Sequence, residues 1–275
     1  MLNIKTPLLL LLLLLLISKN LYSLTFDNDK IIENIFKKEN ISGTIVIYNN
    51  QSKIFTGYNY KRANIQYSPA STFKIANSLI GLSVGAVKSV DEVFFKYQGQ
   101  EVFLESWKHD SNLKDAIKVS NVLAYQELAR RIGKEQMLIN LEKINYGNKT
   151  IGDHIDTFWL DSSLKISAVQ QVEFLTKLAN RELPYSKKIQ EDVSNIILID
   201  NSKNYNLYGK TGWFVLNDDL NTIGWFVGWV EKDKNIYTFA MNMDIKKASK
   251  DDFPKDLAKR QKVVIESLKA LSFIQ

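Results

Sequence analysis

A serine and a lysine three positions apart are the first residues in this chain that could do covalent chemistry. They are Ser71 and Lys74 of Ser71-Thr72-Phe73-Lys74, and the run Ile75–Ile80 that follows them is typical of a buried helix. If this run starts a helix, residues three apart share a face, so the Lys74 amine can reach the Ser71 hydroxyl. Burial lowers the pKa of a lysine and makes it a base, which a serine nucleophile requires. The helix start would also direct the Ser71 N–H and a positive dipole toward an oxyanion.

A second lysine lies in the run Tyr208–Trp213, which reads Tyr-Gly-Lys-Thr-Gly-Trp on a predicted strand. Lys210 and Thr211 can bind a carboxylate, and the neighbouring glycines allow a ligand to approach the strand closely. The order Gly-Lys-Thr also ends a phosphate-binding loop, but that motif needs a glycine at position 204 and a helix afterwards. The chain has Asn204 and a predicted strand at this point, so we exclude a phosphate loop.

Two shorter runs, Ser120-Asn121-Val122 and Tyr146-Gly147-Asn148, lie between these motifs. Each is uninformative alone, because a serine here is typical of a helix cap and Tyr-Gly-Asn is typical of a turn. The histidines carry less information still. His154 lies in a polar loop, which indicates a surface or capping role rather than a catalytic triad. The order of the four runs is therefore the signal that the sequence offers.

Periodicity predicts strands at both ends of the chain and helices between them. The predicted helices are Asn28–Lys38, Ser71–Ser83, Asp115–Ile132, Lys134–Ile144, Ala168–Ala179, Lys187–Ile197 and Pro254–Phe273. The predicted strands are Gly43–Tyr48, Lys53–Thr56, Leu207–Leu216, Asn221–Glu231 and Asn235–Met243, with one turn at Asn217-Asp218-Asp219 and another at Lys232-Asp233-Lys234.

This order is typical of an α/β (α+β) fold, in which an antiparallel sheet is flanked by N- and C-terminal helices and an all-helical subdomain is inserted. We predict one catalytic domain over residues 24–275. Its sheet subdomain would cover about 24–70 and 200–275, and its helical subdomain about 71–199. Ser71 would then lie at the boundary between the two.

The composition excludes several classes of chemistry. The 275 residues include no cysteine and two histidines, which removes thiolate nucleophiles, disulfides, Fe–S clusters and centres that need three imidazoles. We therefore expect no metal. The net charge of +6 comes from scattered lysines that form no stripe with aromatic residues, so we expect no nucleic-acid partner.

The N-terminus has the order of a secretory signal peptide. Lys5 precedes an apolar run from Leu8 to Ile17, and the small residue Ser23 follows. The run is shorter than the roughly 20 residues that cross a bilayer as a helix, so we expect no stable membrane anchor. We predict a signal peptide over residues 1–23, cleavage near Ser23 and an exported, periplasmic protein.

Taken in order, the four runs resemble the motifs of the penicillin-recognising serine enzymes, and in particular of the class D (oxacillinase, OXA-type) serine β-lactamases. Class A enzymes have Ser-Asp-Asn where this chain has Ser120-Asn121-Val122. The resemblance spans nearly the whole chain after the leader and includes Pro69–Lys74, Phe158–Ser167, Gly224–Glu231 and Phe239–Asp244. It implies a β-lactamase/transpeptidase-like fold, hydrolysis of the β-lactam ring of penicillin-type antibiotics, and antibiotic resistance.

The resemblance also implies a role for each matching residue. Ser71 would be the acylated nucleophile, and its N–H would form the oxyanion hole with the N–H of Trp213. Lys74 would carry a carbamate made from CO₂ (N6-carboxylysine) and act as general base. Trp159 would hold that carbamate, and Ser120 would relay a proton to the substrate nitrogen.

The remaining matches concern the substrate. The resemblance implies that Lys210, Thr211, Gly212 and Arg260 bind the substrate and its carboxylate, and that Val122 and Leu160 cover the carbamate and limit access of water. It implies no cofactor beyond the CO₂ or bicarbonate that modifies Lys74. The partner would be a small β-lactam, and the sequence leaves a monomer and a homodimer open.

Two alternatives share the serine and the two lysines. One is a D,D-peptidase of cell-wall synthesis, and the other is the β-lactam-sensing domain of a membrane receptor, which is acylated without efficient turnover. Such sensors follow several transmembrane helices, whereas one short leader precedes this domain. This difference favours a free enzyme.

Overall fold

The computed structural model of the protein describes residues 26, 28–215, 221–246 and 253–275. The predicted signal peptide and the predicted turn at Asn217-Asp218-Asp219 lie outside the described residues. Within them, six strands form one sheet in the order β2-β1-β6-β5-β4-β3, and all neighbours are antiparallel. The strands are β1 (Gly43–Asn49), β2 (Ile54–Tyr58), β3 (Leu198–Asn201), β4 (Asn206–Val215), β5 (Asn221–Lys232) and β6 (Asn235–Lys246).

The helices lie on both faces of this sheet. They are α1 (Lys30–Lys38), α2 (Tyr60–Ala63), α3 (Lys74–Ser83), α4 (Leu113–Lys118), α5 (Val122–Ile132), α6 (Lys134–Lys143), α7 (Ala168–Ala179), α8 (Lys187–Ile196) and α9 (Phe253–Ala270). Short 3₁₀ helices cover Ala70–Phe73 and Glu105–Trp107. The predicted α/β fold, with an antiparallel sheet, terminal helices and inserted helices, is confirmed.

Each face of the sheet is buried by a different set of helices. On one face, Ile32 and Phe36 of α1 and Val263 and Leu268 of α9 share a core with alternate residues of the strands. Asp29 starts α1 by accepting hydrogen bonds from the N–H groups of Ile31 and Ile32. On the other face, the larger core joins the sheet to the helices between residues 74 and 196. The inserted helices meet the sheet where α7 packs on β1, β5 and β6, and the 3₁₀ turn Ala70–Phe73 packs on β4.

The single helix that the sequence predicts over Asp115–Ile132 is wrong, because two helices occupy this stretch. Helix α4 ends at Lys118, Ser120 has a φ of 55°, and Asn121 starts α5 by accepting a hydrogen bond from the Ala124 N–H. An asparagine side chain competes with the helix backbone and favours a cap. The apolar residues before and after Ser120 keep the same helical spacing. This spacing therefore could not reveal the turn between the two helices.

Two further expectations change in the structure. The helix predicted to start at Ser71 begins as a 3₁₀ turn over Ala70–Phe73, and regular α-helix starts at Lys74. Strand β3 was not predicted, because its four residues have no alternating pattern and lie mostly exposed at the sheet edge. The predicted boundary of the sheet subdomain near residue 200 falls inside this strand.

Candidate active site

Ser71 and Lys74 meet at the start of α3. The Lys74 Nζ atom lies 3.0 Å from Ser71 Oγ, as the three-residue spacing predicts. The Lys74 side chain is fully buried, and no described carboxylate forms a salt bridge with it. Burial, and then the positive charge of Lys210, lower the pKa of the Lys74 ammonium well below its ordinary value. A neutral amine at this distance can accept the Ser71 proton.

Aromatic side chains form the walls around Lys74. The Tyr125 ring centroid lies 5.1 Å from Nζ, and its hydroxyl is 2.8 Å from Ser78 Oγ. Phe73 packs against Phe158 and Trp159 with ring centroids 5.1 and 5.6 Å away. These apolar walls exclude water, which is the physical cause of the lowered pKa of Lys74.

Trp159 holds the segment that leads to Ser71. Its carbonyl accepts hydrogen bonds from Ser68 Oγ at 2.7 Å and from the Ala70 N–H at 3.1 Å. Ala70 has a φ of 49°, a left-handed conformation that costs about 1–2 kcal/mol for a residue with a Cβ. The Trp159 indole Nε1 is buried without a hydrogen-bond partner among the described residues. It is a donor that an additional acceptor beside Lys74 would satisfy.

Strand β4 forms the opposite wall, and Gly212 lets it approach. A Cβ at position 212 would lie 3.0 Å from both the Pro69 carbonyl oxygen and Thr72 Cγ2. The sequence suggested that the glycines of this strand leave room for a ligand. The structure shows that Gly212 leaves room for the protein's own segment around Ser71, which sets the distance between the nucleophile and the strand.

The edge of β4 that faces away from β5 presents backbone N–H groups on the side of the cavity. The Gly209 N–H donates to the Ile197 carbonyl, so odd-numbered residues of β4 direct their N–H groups away from β5. Strand β3 pairs with β4 only as far as Tyr208, and the edge beyond it has no strand partner in the described part of the chain. The N–H groups of Thr211 and Trp213 therefore face the cleft.

Two buried cations lie beside this edge. Lys210 is 7% exposed and donates from Nζ to the Thr211 carbonyl at 3.0 Å, and Arg260 is 9% exposed and donates to the Gly212 carbonyl. Burial, and then the charge of Arg260, lower the pKa of Lys210 to about 7. Burial also lowers the pKa of Arg260, to about 10, so its guanidinium keeps its charge near neutral pH. Two cations without a described carboxylate partner favour an anionic ligand.

A cavity of about 610 Å³ joins these groups. Its lining is mostly apolar, and the polar groups lie at its floor and along β4. The lining residues are Ser71, Phe103, Leu104, Trp107, Ser120, Val122, Leu160, Thr211, Gly212, Trp213, Phe214, Leu257 and Arg260. Such a cavity suits a small organic ligand that carries one anionic group.

Known proteins share this sequence and this fold. Residues 39–264 match the model of the penicillin binding protein transpeptidase domain. β-Lactamase OXA-48 of Klebsiella pneumoniae is 40% identical over 234 residues, which cover 83% of this chain and 87% of that protein. The class D β-lactamase FUS-1 (OXA-85) of Fusobacterium nucleatum subsp. polymorphum is 46% identical, with a TM-score of 0.86 over 90% of this chain and 100% of that one. The chain belongs to the class D serine β-lactamases.

The similarity also reaches a protein of another kind. The regulatory protein BlaR1 of Bacillus licheniformis is 34% identical over 208 residues, which cover 76% of this chain but 34% of that protein. The class D β-lactamases OXA-48 and FUS-1 match over most of their own length instead. The enzymes are therefore the better match along the whole domain.

The residues that the sequence assigned to this class D site lie together. Ser71 and Ser120 reach the cavity from the ends of two helical segments, and Val122, the first residue of α5, lines it beside Leu160. Lys74 and Trp159 are buried near Ser71. The other wall is lined by Thr211, Gly212, Trp213 and Arg260, and Lys210 lies beside it on β4. Their roles stay predictions, because neither geometry nor similarity tests a catalytic step.

Sequence reasoning missed part of the cavity wall. Phe103, Leu104, Phe214 and Leu257 line it, and Phe103 is 74% exposed with ring centroids 6.3 Å from Trp107 and 6.5 Å from Trp213. Phe214 and Leu257 sit beside recognised motif residues, so proximity in sequence could have suggested them. Phe103 lies in a stretch without periodicity, and only the tertiary structure brings it to the cleft.

Two further features concern metal-binding side chains and membrane-spanning helices. Over residues 28–215, 221–246 and 253–275, no group of histidine, aspartate and glutamate side chains could hold a metal ion. In the same ranges, no helix is both long enough and apolar enough to span a bilayer.

Proposed function

We propose that this protein hydrolyses the β-lactam ring of penicillin-type antibiotics through an acyl-enzyme on Ser71. The observation that carries the proposal is the fully buried Lys74 amine, 3.0 Å from Ser71 Oγ, where Ser71, Thr211 and Arg260 line one cavity and Lys210 precedes Thr211 on β4. Nucleophile and anion-binding groups thus line one cavity of about 610 Å³, which can hold a small bicyclic ligand.

In the acylation step, Ser71 Oγ bonds to the lactam carbonyl carbon and the ring C–N bond breaks. The proton of Ser71 passes to the base at Lys74, and the ring nitrogen takes up a proton by way of Ser120, whose half-exposed side chain lines the cavity. The N–H groups of Ser71 and Trp213 stabilise the carbonyl oxygen as it gains negative charge. Lys210, Thr211 and Arg260 bind the carboxylate of the substrate.

Lys74 is suited to modification by CO₂. Only a neutral amine attacks CO₂, and the lowered pKa of Lys74 provides one near neutral pH. The buried Nε1–H of Trp159 has no described acceptor and would donate to a carbamate oxygen. As a carbamate, Lys74 supplies a base that takes a proton from Ser71 and later from the deacylating water. Val122 and Leu160 limit how much other water reaches it.

Turnover of a chromogenic cephalosporin and of benzylpenicillin, with and without bicarbonate, tests this function. We expect steady hydrolysis over many turnovers. A stoichiometric burst followed by no further product would replace the proposal with a sensor or a D,D-peptidase.

The pH dependence of the reaction should report on Lys210. Since its pKa is about 7 in the free protein, Lys210 loses its positive charge as the pH rises through that value. We expect kcat/KM for benzylpenicillin to fall as the pH rises above about 7, because the substrate carboxylate then loses a cationic partner. The parameter kcat should change less, because bound carboxylate stabilises the charged lysine.

The variant Lys210→Arg is the control for this pH dependence. Arginine stays protonated, so the alkaline fall of kcat/KM should disappear below about pH 9. If kcat/KM of this variant still falls above about pH 7, a group other than Lys210 causes the pH dependence.

The variant Trp159→Phe tests the modification of Lys74. It removes the indole N–H and keeps an aromatic ring in the core. A lost hydrogen bond to a charged group is worth about 1.5–3 kcal/mol, so CO₂ affinity should fall about 10- to 100-fold. We expect activity that is low in CO₂-depleted buffer and recovers with bicarbonate.

Trp225→Phe is the matched control, because the Trp225 indole is equally buried but donates to the Ser68 carbonyl. Its activity should not depend on bicarbonate. Equal bicarbonate dependence in both variants would contradict the role of Trp159.

We further propose that the protein is exported to the periplasm and confers resistance to penicillins. Lys5, the apolar run from Leu8 to Ile17 and the small residue Ser23 support this proposal. Expression in a susceptible Gram-negative host should raise the inhibitory concentration of benzylpenicillin, and the protein recovered from the periplasm should start near Leu24. Protein retained in the cytoplasm at full length would contradict it.

A further inference from the structure

A second groove continues the active-site cavity past Thr211. It has a volume of about 460 Å³, and Thr211 lines both the groove and the active-site cavity. Lys210 opens onto the groove rather than onto the cavity. A carboxylate bound at Lys210 and Thr211 would therefore lie at the junction of the two spaces, with Ser71 on one side and the groove on the other.

The walls of this groove differ in character. One wall is apolar: it consists of Ile197, just before β3, and of Leu198 and Ile199 in β3, of which Leu198 is 38% and Ile199 is 46% exposed. Facing them, α4 supplies the exposed residues Lys114 and Lys118, one helical turn apart. None of the described residues that line the groove is acidic.

The position of Lys118 in the last turn of α4 is favourable for a cation, whereas that of Lys114 is not. Lys114 is the second residue of α4, where the positive end of the helix dipole disfavours a cation. Neither lysine forms a salt bridge with a described residue. Together with Lys210, they give the groove three cationic side chains and an apolar wall, which suits an anionic group on an apolar or heteroaromatic body.

We propose that this groove is a second binding region of the active site, and that it takes an acidic substituent on the ring that carries the substrate carboxylate. The proposal rests on the proposed β-lactam substrate. In cephalosporins, the carboxylate and the C3 substituent occupy adjacent ring atoms, so a substituent at C3 starts beside Thr211 and can extend toward Lys114 and Lys118. Penicillins have only methyl groups there and end short of the groove.

The test compares two cephalosporins with the same acyl side chain, one with a carboxylate on its C3 substituent and one with the matching amide. Their apparent inhibition constants are measured against benzylpenicillin hydrolysis, which reports binding even for a cephalosporin that turns over slowly. Exposed ion pairs are each worth about 0.2–1 kcal/mol, so with two lysines we expect the acidic compound to bind about two- to thirtyfold tighter at low salt. This preference should shrink in 0.5 M NaCl because salt screens exposed charges.

The variant Lys114→Gln/Lys118→Gln should lose the preference while its benzylpenicillin kinetics stay within about twofold. The matched control Lys165→Gln/Lys187→Gln removes two exposed lysines that do not line the groove, and it should keep the preference. Equal inhibition by the two compounds, a preference that survives in the first variant, or an equal loss in both variants would overturn the proposal.

Failure of the proposed function gives a different result. In that case benzylpenicillin is not hydrolysed by the unmodified protein, and the same competition is read from covalent labelling of Ser71 by a fluorescent penicillin. Equal competition by the acidic cephalosporin and its amide in that readout would still contradict the proposed binding groove, whether or not the protein turns over penicillin.

Discussion

Ser71→Ala should abolish hydrolysis of benzylpenicillin, with a fall in kcat of about 10⁴-fold or more. The substitution removes the atom that bonds to the lactam carbonyl, and no other hydroxyl among the described residues lies beside Lys74 Nζ at hydrogen-bond distance. The binding groups of β4 stay in place, so the substrate should still bind. The measurement combines initial rates with intact-protein mass spectrometry, which should show no covalent penicilloyl adduct.

Ser83→Ala is the matched control for this prediction. Ser83 ends the same helix, and its hydroxyl bonds to the Ile80 carbonyl, far from the cavity lining. Its hydrolysis rate should stay within about twofold of the unmodified protein. A covalent adduct in Ser71→Ala, or equal loss of activity in both variants, would show that the nucleophile lies elsewhere.

Lys74→Met should lose nearly all turnover and gain stability. Methionine fills a similar volume but cannot accept a proton, so we expect kcat to fall about 10²- to 10⁴-fold, the usual contribution of a general base. Any acyl-enzyme that forms should persist, because the deacylating water also loses its base. Mass spectrometry after mixing with benzylpenicillin would detect this adduct.

The gain in stability follows from the lowered pKa of Lys74. The unfolded chain holds a proton on this lysine up to its ordinary pKa, whereas the folded protein disfavours the charge. The buried lysine therefore destabilises the fold most at low pH, and its cost shrinks as the pH rises toward the unfolded pKa. Methionine removes this cost, so Tm should rise near pH 7, and by less near pH 10.

Thermal unfolding at the two pH values checks this prediction, in CO₂-depleted buffer so that Lys74 carries no carbamate. A lower Tm for Lys74→Met at both values would mean that the charge of Lys74 stabilises the fold, which would remove the physical basis for its role as a neutral amine. A matched Lys118→Met variant, at an exposed position of α4, should leave the pH dependence of Tm unchanged.

Local features of the fold were predictable because each depends on neighbouring residues. The approach of Lys74 to Ser71 needs only helical spacing. The turn between β5 and β6 needs only two residues that accept positive φ, and Asp233 and Lys234 have φ values of 51° and 64°. The break at Ser120 is also local, but the apolar period that runs through it concealed the capping role of Asn121.

The sequence alone determined the chemistry available to this protein: a serine beside a lysine, a strand with a second lysine, and neither thiols nor enough imidazoles for other mechanisms. Only the tertiary structure decided how those groups work together. The lowered pKa of Lys74 arises from burial among side chains such as Tyr125 and from the charge of Lys210, both more than 50 residues away, and the pKa of Lys210 depends on Arg260 in the last helix. Burial and long-range charge are sums over the folded surroundings, and no local pattern contains them.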